Sequence, residues 1–149
     1  MKQKGFTLVE LLIYFGLLSI LMTILMRVFT GITDVQLSSE AASHVAEDAR
    51  YIYSRLVYDV PRASNIVSSG SSLILLINGV ANTYSVSSGN LVLANGDGIN
   101  QLNSVGTQVS DLSFTEIGKS IQIKYTITST TQDINGPDSK IIETTIALR

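Results

Sequence analysis

The sequence predicts an α+β protein: one long N-terminal α-helix, with a transmembrane half and an amphipathic half, packed on an antiparallel β-sheet head. Three observations predict this fold class. Residues 6–26 form an apolar run with a single charge, Glu10. Apolar residues then recur at helical spacing as far as residue 60. Beyond that point, β-branched residues alternate with polar ones between turn signals, as in antiparallel strands.

Composition argues against an enzyme. With 149 residues there is room for one domain and an appendage. The absence of cysteine excludes a disulfide scaffold, a cysteine zinc site and a thiol nucleophile, and the one histidine, His44, makes a catalytic triad or histidine metal site hard to build. A net charge of −2 gives no support for a nucleic-acid surface. We therefore predict no catalytic residue, no cofactor, no metal site and no direct contact with nucleic acid.

The apolar run has the length of a membrane span. Its 21 residues form a helix of about 31 Å, close to the hydrocarbon thickness of a bilayer. Lys2 and Lys4 precede the run, which favours a cytoplasmic N-terminus and an extracytoplasmic head. Residues 22–27 lack the small-residue cleavage site of a secretory signal peptide, so we expect the helix to stay with the mature protein.

Glu10 is the anomaly in this run. A carboxylate in the middle of a bilayer costs about 2.5–3.5 kcal/mol on insertion scales, and no Lys or Arg follows Glu10 within two helical turns. One interpretation places Glu10 near the interface, with its carboxylate among the lipid headgroups. The other pairs it with a positive charge from outside its own helix.

Residues 4–12, KGFTLVELL, carry a resemblance. This string, after a short basic leader and at the start of a bilayer-length apolar run, resembles the class III signal of type IV pilins and type II secretion pseudopilins. The resemblance implies that a prepilin peptidase cuts after Gly5, and that the new amino terminus at Phe6 is methylated. It also implies a partner for Glu10, the amino terminus of a neighbouring subunit. The chain then divides into a leader (1–5), a membrane or filament-core half-helix (6–26), an amphipathic half-helix (27–61) and a β head (64–149).

The amphipathic half-helix is predicted from a stripe of apolar residues. Its members are Val28, Ile32, Val35, Ala42, Val45, Ala49, Ile52, Leu56 and Val60. Most charged residues lie off this stripe, and Arg55 with Asp59 has the spacing of a surface ion pair worth tenths of a kcal/mol. Pro61 ends the helix. Three tyrosines near this end are expected to pack on the sheet, with a contact to a partner as the alternative: Tyr51, Tyr53 and Tyr58.

Six strands are predicted in the head. They are residues 73–77, 83–86, 91–93, 109–116, 120–129 and 140–148. Short turns between them indicate an antiparallel meander whose apolar face is covered by the amphipathic half-helix. Residues 95–98 and 135–138 are predicted loops, and their Asp and Asn residues are more typical of turns than of a calcium site.

A second, looser resemblance narrows the family. The string RLVYDVPRA at residues 55–63, with Tyr84-Ser85-Val86 and Gly89-Asn90-Leu91, is similar to the minor pseudopilin J family and its pilus and competence relatives. It implies a non-enzymatic, tip-associated filament subunit whose partners are prepilin peptidase, other pilin subunits, the inner membrane and an assembly platform. The competing hypothesis is a membrane-anchored extracytoplasmic binding module that never polymerises.

Overall fold

The computed structural model describes residues 7–133 and 136–148, and the chain divides into two compact units, Met1–Gln36 and Leu37–Arg149. A single long helix, α1, covers Leu8–Asp59 and is followed by a 3₁₀ turn, Val60–Arg62, which contains Pro61. Antiparallel sheets form the rest of the described chain. The predicted α+β class, with a long N-terminal helix packed on antiparallel strands, is confirmed.

Eight strands form two antiparallel sheets. The first sheet is a meander in chain order: β1 (Asn65–Ser69), β2 (Ser72–Ile77), β3 (Val80–Ser87), β4 (Asn90–Asn95) and β5 (Gly98–Gln101). The second is β6 (Thr107–Ile117), β7 (Ser120–Asp133) and β8 (Gly136–Ala147), also in chain order. Each strand therefore pairs with its sequence neighbour, apart from the break between β5 and β6.

All six predicted strands are present, but the prediction of a single sheet is wrong, and β1 and β5 were missed. Residues 95–98 form a tight hairpin rather than a loop, because the Asn95 side chain accepts a hydrogen bond from the Asp97 N–H at 3.1 Å and turns the chain into β5. The loop predicted at 135–138 is also wrong for residues 136–138, which begin β8, while Asn135 lies outside the described residues.

The two sheets meet where hairpin turns of the first sheet cover one edge of the second. The turn at Ser88 and Gly89 has positive φ at both residues, the geometry that matches the twist of a two-residue hairpin. Its Gly89 carbonyl accepts the Val109 N–H at 2.8 Å, and the Gly70 carbonyl of the β1–β2 turn accepts the Phe114 N–H at 2.8 Å. These bonds satisfy the outer edge of β6, which would otherwise expose unpaired backbone groups.

The second half of α1 and the first residue of the 3₁₀ turn supply one side of the core. Val45, Ala49, Ile52, Leu56 and Val60 are buried, as the stripe predicted. They pack in one cluster with inward-facing side chains of both sheets, among them Leu73, Leu75, Tyr84, Leu91, Leu93, Ile121, Ile123, Tyr125 and Ile127.

The stripe prediction fails towards its N-terminal end. Ala41 is buried and Ala42 is exposed, so the buried face lies one residue out of phase with the predicted stripe. Val28, Ile32 and Val35 are each more than half exposed. The stripe therefore predicts burial correctly only for its later members, from Val45 onwards.

Asp48 anchors the helix to the segment between β5 and β6. This carboxylate is buried, and it accepts hydrogen bonds from the Ser104 N–H at 2.9 Å, the Ser104 hydroxyl at 2.8 Å and the Thr107 hydroxyl at 2.5 Å. Three donors on one carboxylate oxygen compensate for much of the cost of removing the charge from water. Asp48 is thus part of the core, although its charge had suggested a solvated position.

Asp59 makes a second polar contact at the end of α1. Asp59 is buried, and its carboxylate accepts a hydrogen bond from the Tyr84 hydroxyl. The Arg55 Nε lies 2.8 Å from the same carboxylate oxygen, and this contact is an ion pair without the alignment of a hydrogen bond. Burial, reinforced by the bond to Asp59, raises the pKa of Tyr84 above its ordinary value. The predicted pair of Arg55 and Asp59 is therefore confirmed, but it is not the solvated pair that the spacing suggested, because Asp59 is buried and also binds Tyr84.

The three tyrosines near the helix end do not pack into the core. Tyr51, Tyr53 and Tyr58 are each more than 40% exposed, so the prediction that they pack on the sheet is wrong for Tyr51 and Tyr58, and only Tyr53 lies beside a strand. Tyr53 lines a shallow cleft beside Ile142 of β8, and the Tyr58 ring lies 4.4 Å from the Arg62 guanidinium. The buried face of the helix is already filled by smaller aliphatic side chains.

Loss of the Asp48 carboxylate should destabilise the head. Asp48→Ala leaves three donors without their acceptor, and we expect the free energy of unfolding to fall by about 2–4 kcal/mol, with a smaller loss for Asp48→Asn. Glu47→Ala changes an exposed neighbour and should shift it by no more than about 0.5 kcal/mol. Urea unfolding of the full chain in detergent, followed by circular dichroism, measures the difference. Equal midpoints for Asp48→Ala and Glu47→Ala would contradict the anchoring role.

Candidate functional site

The start of α1 is fixed by Thr7. The Glu10 N–H donates to the Thr7 hydroxyl oxygen at 3.3 Å, and the Leu11 N–H donates to the Thr7 carbonyl at 3.2 Å. The Thr7 side chain therefore caps the Glu10 N–H, one of the backbone donors that every helix leaves unpaired in its first turn, and the Thr7 carbonyl accepts the first bond within the helix. This cap places Glu10 in the first turn, where the positive end of the helix dipole favours a carboxylate.

The Glu10 side chain is exposed, and its negative charge is only weakly stabilised by neighbouring groups on its own helix. The Tyr14 hydroxyl, one turn further along, donates to a Glu10 carboxylate oxygen at 3.4 Å, a long distance for such a bond. Within residues 7–133 and 136–148, no Lys or Arg forms an ion pair with Glu10. The sequence did not lead us to predict this contact with Tyr14. The four-residue spacing of Glu10 and Tyr14 on a helix is the pattern that indicates it.

The helix around Glu10 presents an apolar surface. Between residues 8 and 26, every large apolar side chain is at least 47% exposed, and none of the most apolar 18-residue window is buried. Added methyl groups at Gly16 and Gly31 would meet no neighbour within 4 Å. By length and composition, α1 is able to cross a membrane. Such a surface requires lipid or other apolar helices around it.

Polar side chains in this part of α1 bond back to their own helix. The Ser19 hydroxyl donates to the Phe15 carbonyl at 2.9 Å, and the Thr23 hydroxyl donates to the Ser19 carbonyl at 2.9 Å. Thr30 and Thr33 make equivalent bonds one turn back. A hydroxyl satisfied in this way can enter a bilayer or a helix bundle without an external partner.

The other predicted site residues are Gly5 and Phe6, and both lie outside the described residues. Elsewhere in the described ranges, no three His, Asp or Glu side chains come close enough to hold a metal ion. The Asn95 side chain makes a turn contact, as its residue type indicates, and accepts a hydrogen bond from the Asp97 N–H.

A comparison with protein-family models identifies the N-terminal segment that contains Glu10. Residues 1–26 match the prokaryotic N-terminal methylation motif. The chain carries the class III signal of type IV pilins and pseudopilins. Comparisons with curated proteins and with solved structures give no significant match.

The pilin-type motif supports a coarse functional assignment. It implies processing by prepilin peptidase and assembly with other pilins, and it points to a structural subunit. The apolar helix near the N-terminus fits a membrane-anchored pilin. The exposed apolar side chains of residues 8–26 and Glu10 lie within the matched motif.

Proposed function

We propose that this protein is a non-enzymatic, minor and tip-associated subunit of a type IV pilus, a type II secretion pseudopilus or a competence pseudopilus. The observation that carries the proposal is the exposed apolar helix that begins within the methylation motif, with Glu10 in its first turn. A helix of this kind is a means of assembly, because it has to be covered by lipid before assembly and by other helices after it.

Processing prepares the amino terminus for assembly. Prepilin peptidase hydrolyses the bond between Gly5 and Phe6 on the cytoplasmic side of the membrane and frees the Phe6 amine, which is then methylated. Removal of the leader also removes Lys2 and Lys4, so the formal side-chain charge of the chain falls from −2 to −4. The mature subunit remains in the inner membrane as a single-pass protein with its head outside, until it enters an extracytoplasmic filament.

Glu10 then pairs with the Phe6 amine of a neighbouring subunit. In apolar surroundings the carboxylate requires a cation, and the weak bond from Tyr14 supplies a proton donor but no charge. The helix dipole at the start of α1 adds only a modest stabilisation. The Glu10 carboxylate forms this ion pair only with the amine of another subunit. The pair therefore favours the assembled state over isolated chains in the membrane.

The minor, J-type assignment rests on the second resemblance. Two of its strings, 55–63 and 84–86, meet in space, because the buried Asp59 carboxylate contacts both Tyr84 and the partly exposed Arg55. A network of this kind fixes the end of the helix against the head, which supports a shared head architecture with minor pseudopilins. Assembly is driven by a membrane platform and a separate cytoplasmic ATPase.

Filament membership and position are tested together. The full chain with a C-terminal epitope tag is expressed in its native cell, filaments are sheared off, and the tag is located with gold-labelled antibody. We expect label on filaments, concentrated at one end. Label along the whole length would contradict the tip assignment. Label confined to the membrane, with filaments present, would contradict filament assembly and favour the anchored binding module.

A further inference from the structure

Strand β8 leaves one of its edges open. It pairs with β7 on one side and, among the described residues, with no strand on the other. At the end of this pairing the Leu148 N–H donates to the Lys119 carbonyl at 2.8 Å, and bonded and non-bonded positions alternate along antiparallel strands. Counting back from Leu148, the backbone N–H and C=O groups of Ile141, Glu143 and Thr145 therefore point away from β7. Within residues 7–133 and 136–148 these groups have no hydrogen-bond partner.

The groups on this edge match an extended peptide backbone. β8 has 12 residues, whereas β1 and β5, the outer strands of the first sheet, have 5 and 4. Native proteins normally shorten or cover such edges, and the outer edge of β6 is covered by the turns at Gly70 and Gly89. A row of unpaired donors and acceptors along a strand is the surface to which another extended segment adds. The β8 edge is therefore suited to a further strand.

A shallow cleft lies along the same edge, between β8 and the second half of α1. We call it the β8 cleft, and its volume is about 150 Å³. Its lining residues are Ala46, Ala49, Arg50, Tyr53, Lys140 and Ile142. Paired residues of neighbouring strands place their side chains on the same face of a sheet. The cleft therefore receives the side chains on one face of a strand added to β8.

The β8 cleft is positively charged. Arg50 and Lys140 come from different elements, and both are exposed. In the described part of the chain neither forms an ion pair, and no acidic residue lines the cleft. A carboxylate between the two cations is attracted by both, and the apolar surface of Ala49 and Ile142 beside it strengthens the attraction by excluding water. The cleft therefore matches an acidic residue in the added strand.

We propose that the β8 edge binds an extended, acidic segment of a different protein, which adds to the second sheet as a fourth strand. An acidic residue opposite Lys140 or Ile142 lies in the β8 cleft, within reach of Arg50. Its neighbours in the added strand point to the opposite face, where Ile141 is 65% exposed and offers an apolar contact. All these residues belong to the unit Leu37–Arg149, so the inference does not depend on filament assembly.

The charges of β8 itself argue against a second copy as the occupant. Between residues 140 and 147, the side chains on the cleft side of β8 are Lys140, Ile142, Thr144 and Ile146. None of them is acidic, so a second copy that pairs through the same stretch brings no carboxylate to Arg50. The acidic segment therefore comes from a different protein.

Binding of designed peptides to the full chain in detergent micelles tests this proposal. The probe is the fluorescein-labelled peptide TVTVEVTVT, in which Glu and Thr share one face of a strand and Val occupies the other. The peptide TVTVQVTVT lacks only the charge, and TVTPEPTVT lacks the backbone donors beside the acid. Fluorescence anisotropy, with empty micelles as the blank, measures each affinity. We expect saturable binding of the acidic probe, about tenfold weaker binding of the neutral probe and no binding of the proline probe.

Variants of the chain separate the backbone contact from the charge contact. Glu143→Pro removes an outward N–H of β8, whereas Glu143→Ala loses the same carboxylate and its bond to Gln122 but keeps the N–H. The acidic probe should bind Glu143→Pro about tenfold more weakly than Glu143→Ala. If circular dichroism shows that Glu143→Pro does not fold, the proline probe supplies the test of the backbone contact.

The charge contact is tested by reversal and exchange. Lys140→Glu should weaken binding of the acidic probe by about tenfold and should bind the peptide TVTVKVTVT in its place. Lys124→Glu reverses an exposed cation on the other face of the sheet and should change the affinity for neither peptide.

Absence of saturable binding by the acidic probe would overturn the proposal. Equal affinities for the acidic and neutral probes would overturn the acidic occupant. Equal binding by Glu143→Pro and Glu143→Ala, or binding of the proline probe, would overturn strand addition. Light scattering of the full chain in the same micelles tests the second copy. A dimer that Glu143→Pro dissociates and Glu143→Ala retains would show that β8 pairs with itself, and would overturn a different protein as the occupant.

Discussion

Glu10→Ala and Glu10→Leu should be inserted into the membrane and cleaved normally, yet their incorporation into filaments should fall at least tenfold. Cleavage depends on the leader, which neither variant changes. Assembly depends on a charge pair in apolar surroundings, and removal of one member leaves the neighbour's amine buried without a partner, at a cost of about 3–5 kcal/mol. Quantitative immunoblots of membranes and sheared filaments give the ratio.

Two further variants separate charge from shape at this position. Glu10→Gln keeps the size of the side chain and loses its charge, so it should behave like Glu10→Ala. Glu10→Asp keeps the charge on a shorter side chain and should assemble better than Glu10→Gln. Incorporation of the alanine and leucine variants at the parental level would remove the proposed role of Glu10.

A bulky residue at position 5 should block processing. Gly5→Leu and Gly5→Trp place a side chain beside the bond that is cut, where the peptidase must approach the backbone closely, whereas the methyl group of Gly5→Ala should be tolerated. We expect only the uncut precursor for the bulky variants, and therefore no incorporation into filaments. The mass of the chain isolated from membranes distinguishes precursor from mature protein.

The matched control for position 5 is another glycine in the same chain. Gly31→Leu adds the same side chain at a helical position where an added Cβ meets nothing within 4 Å, and it should be cleaved normally. Normal cleavage of Gly5→Trp would place the cleavage site elsewhere in the leader.

The sequence predicted those parts of the fold that depend on local patterns. Apolar length predicted the first half of α1, and alternation predicted strands such as β7. The methylation motif is also a local pattern, because it lies within the contiguous residues 1–26. β1 and β5 were missed because neither contains a fully buried residue or a run of apolar ones. β1 and β5 are strands because they pair with β2 and β4, and this pairing cannot be predicted from a pattern within either segment.

The buried carboxylates were missed for a related reason. A charge on a helix is usually solvated, and Asp48 and Asp59 differ only because their donors come from distant parts of the chain. Thr107 is 59 residues away from Asp48, and Tyr84 is 25 residues away from Asp59. The position of Glu10 in the first turn of α1 is a local feature, because it depends only on Thr7 and the residues that follow. The role of Glu10 in assembly stays a prediction.

The central claim is that this chain enters the pilin pathway, and mass spectrometry of the protein from its native membrane tests it most directly. Intact-mass and N-terminal peptide spectra show which residue begins the mature chain and whether its amine is modified. Our account predicts a chain that starts at Phe6 with a methylated amino terminus. A chain that still carries residues 1–5 would contradict the account, and a membrane-anchored binding domain would then explain the head better than a filament subunit.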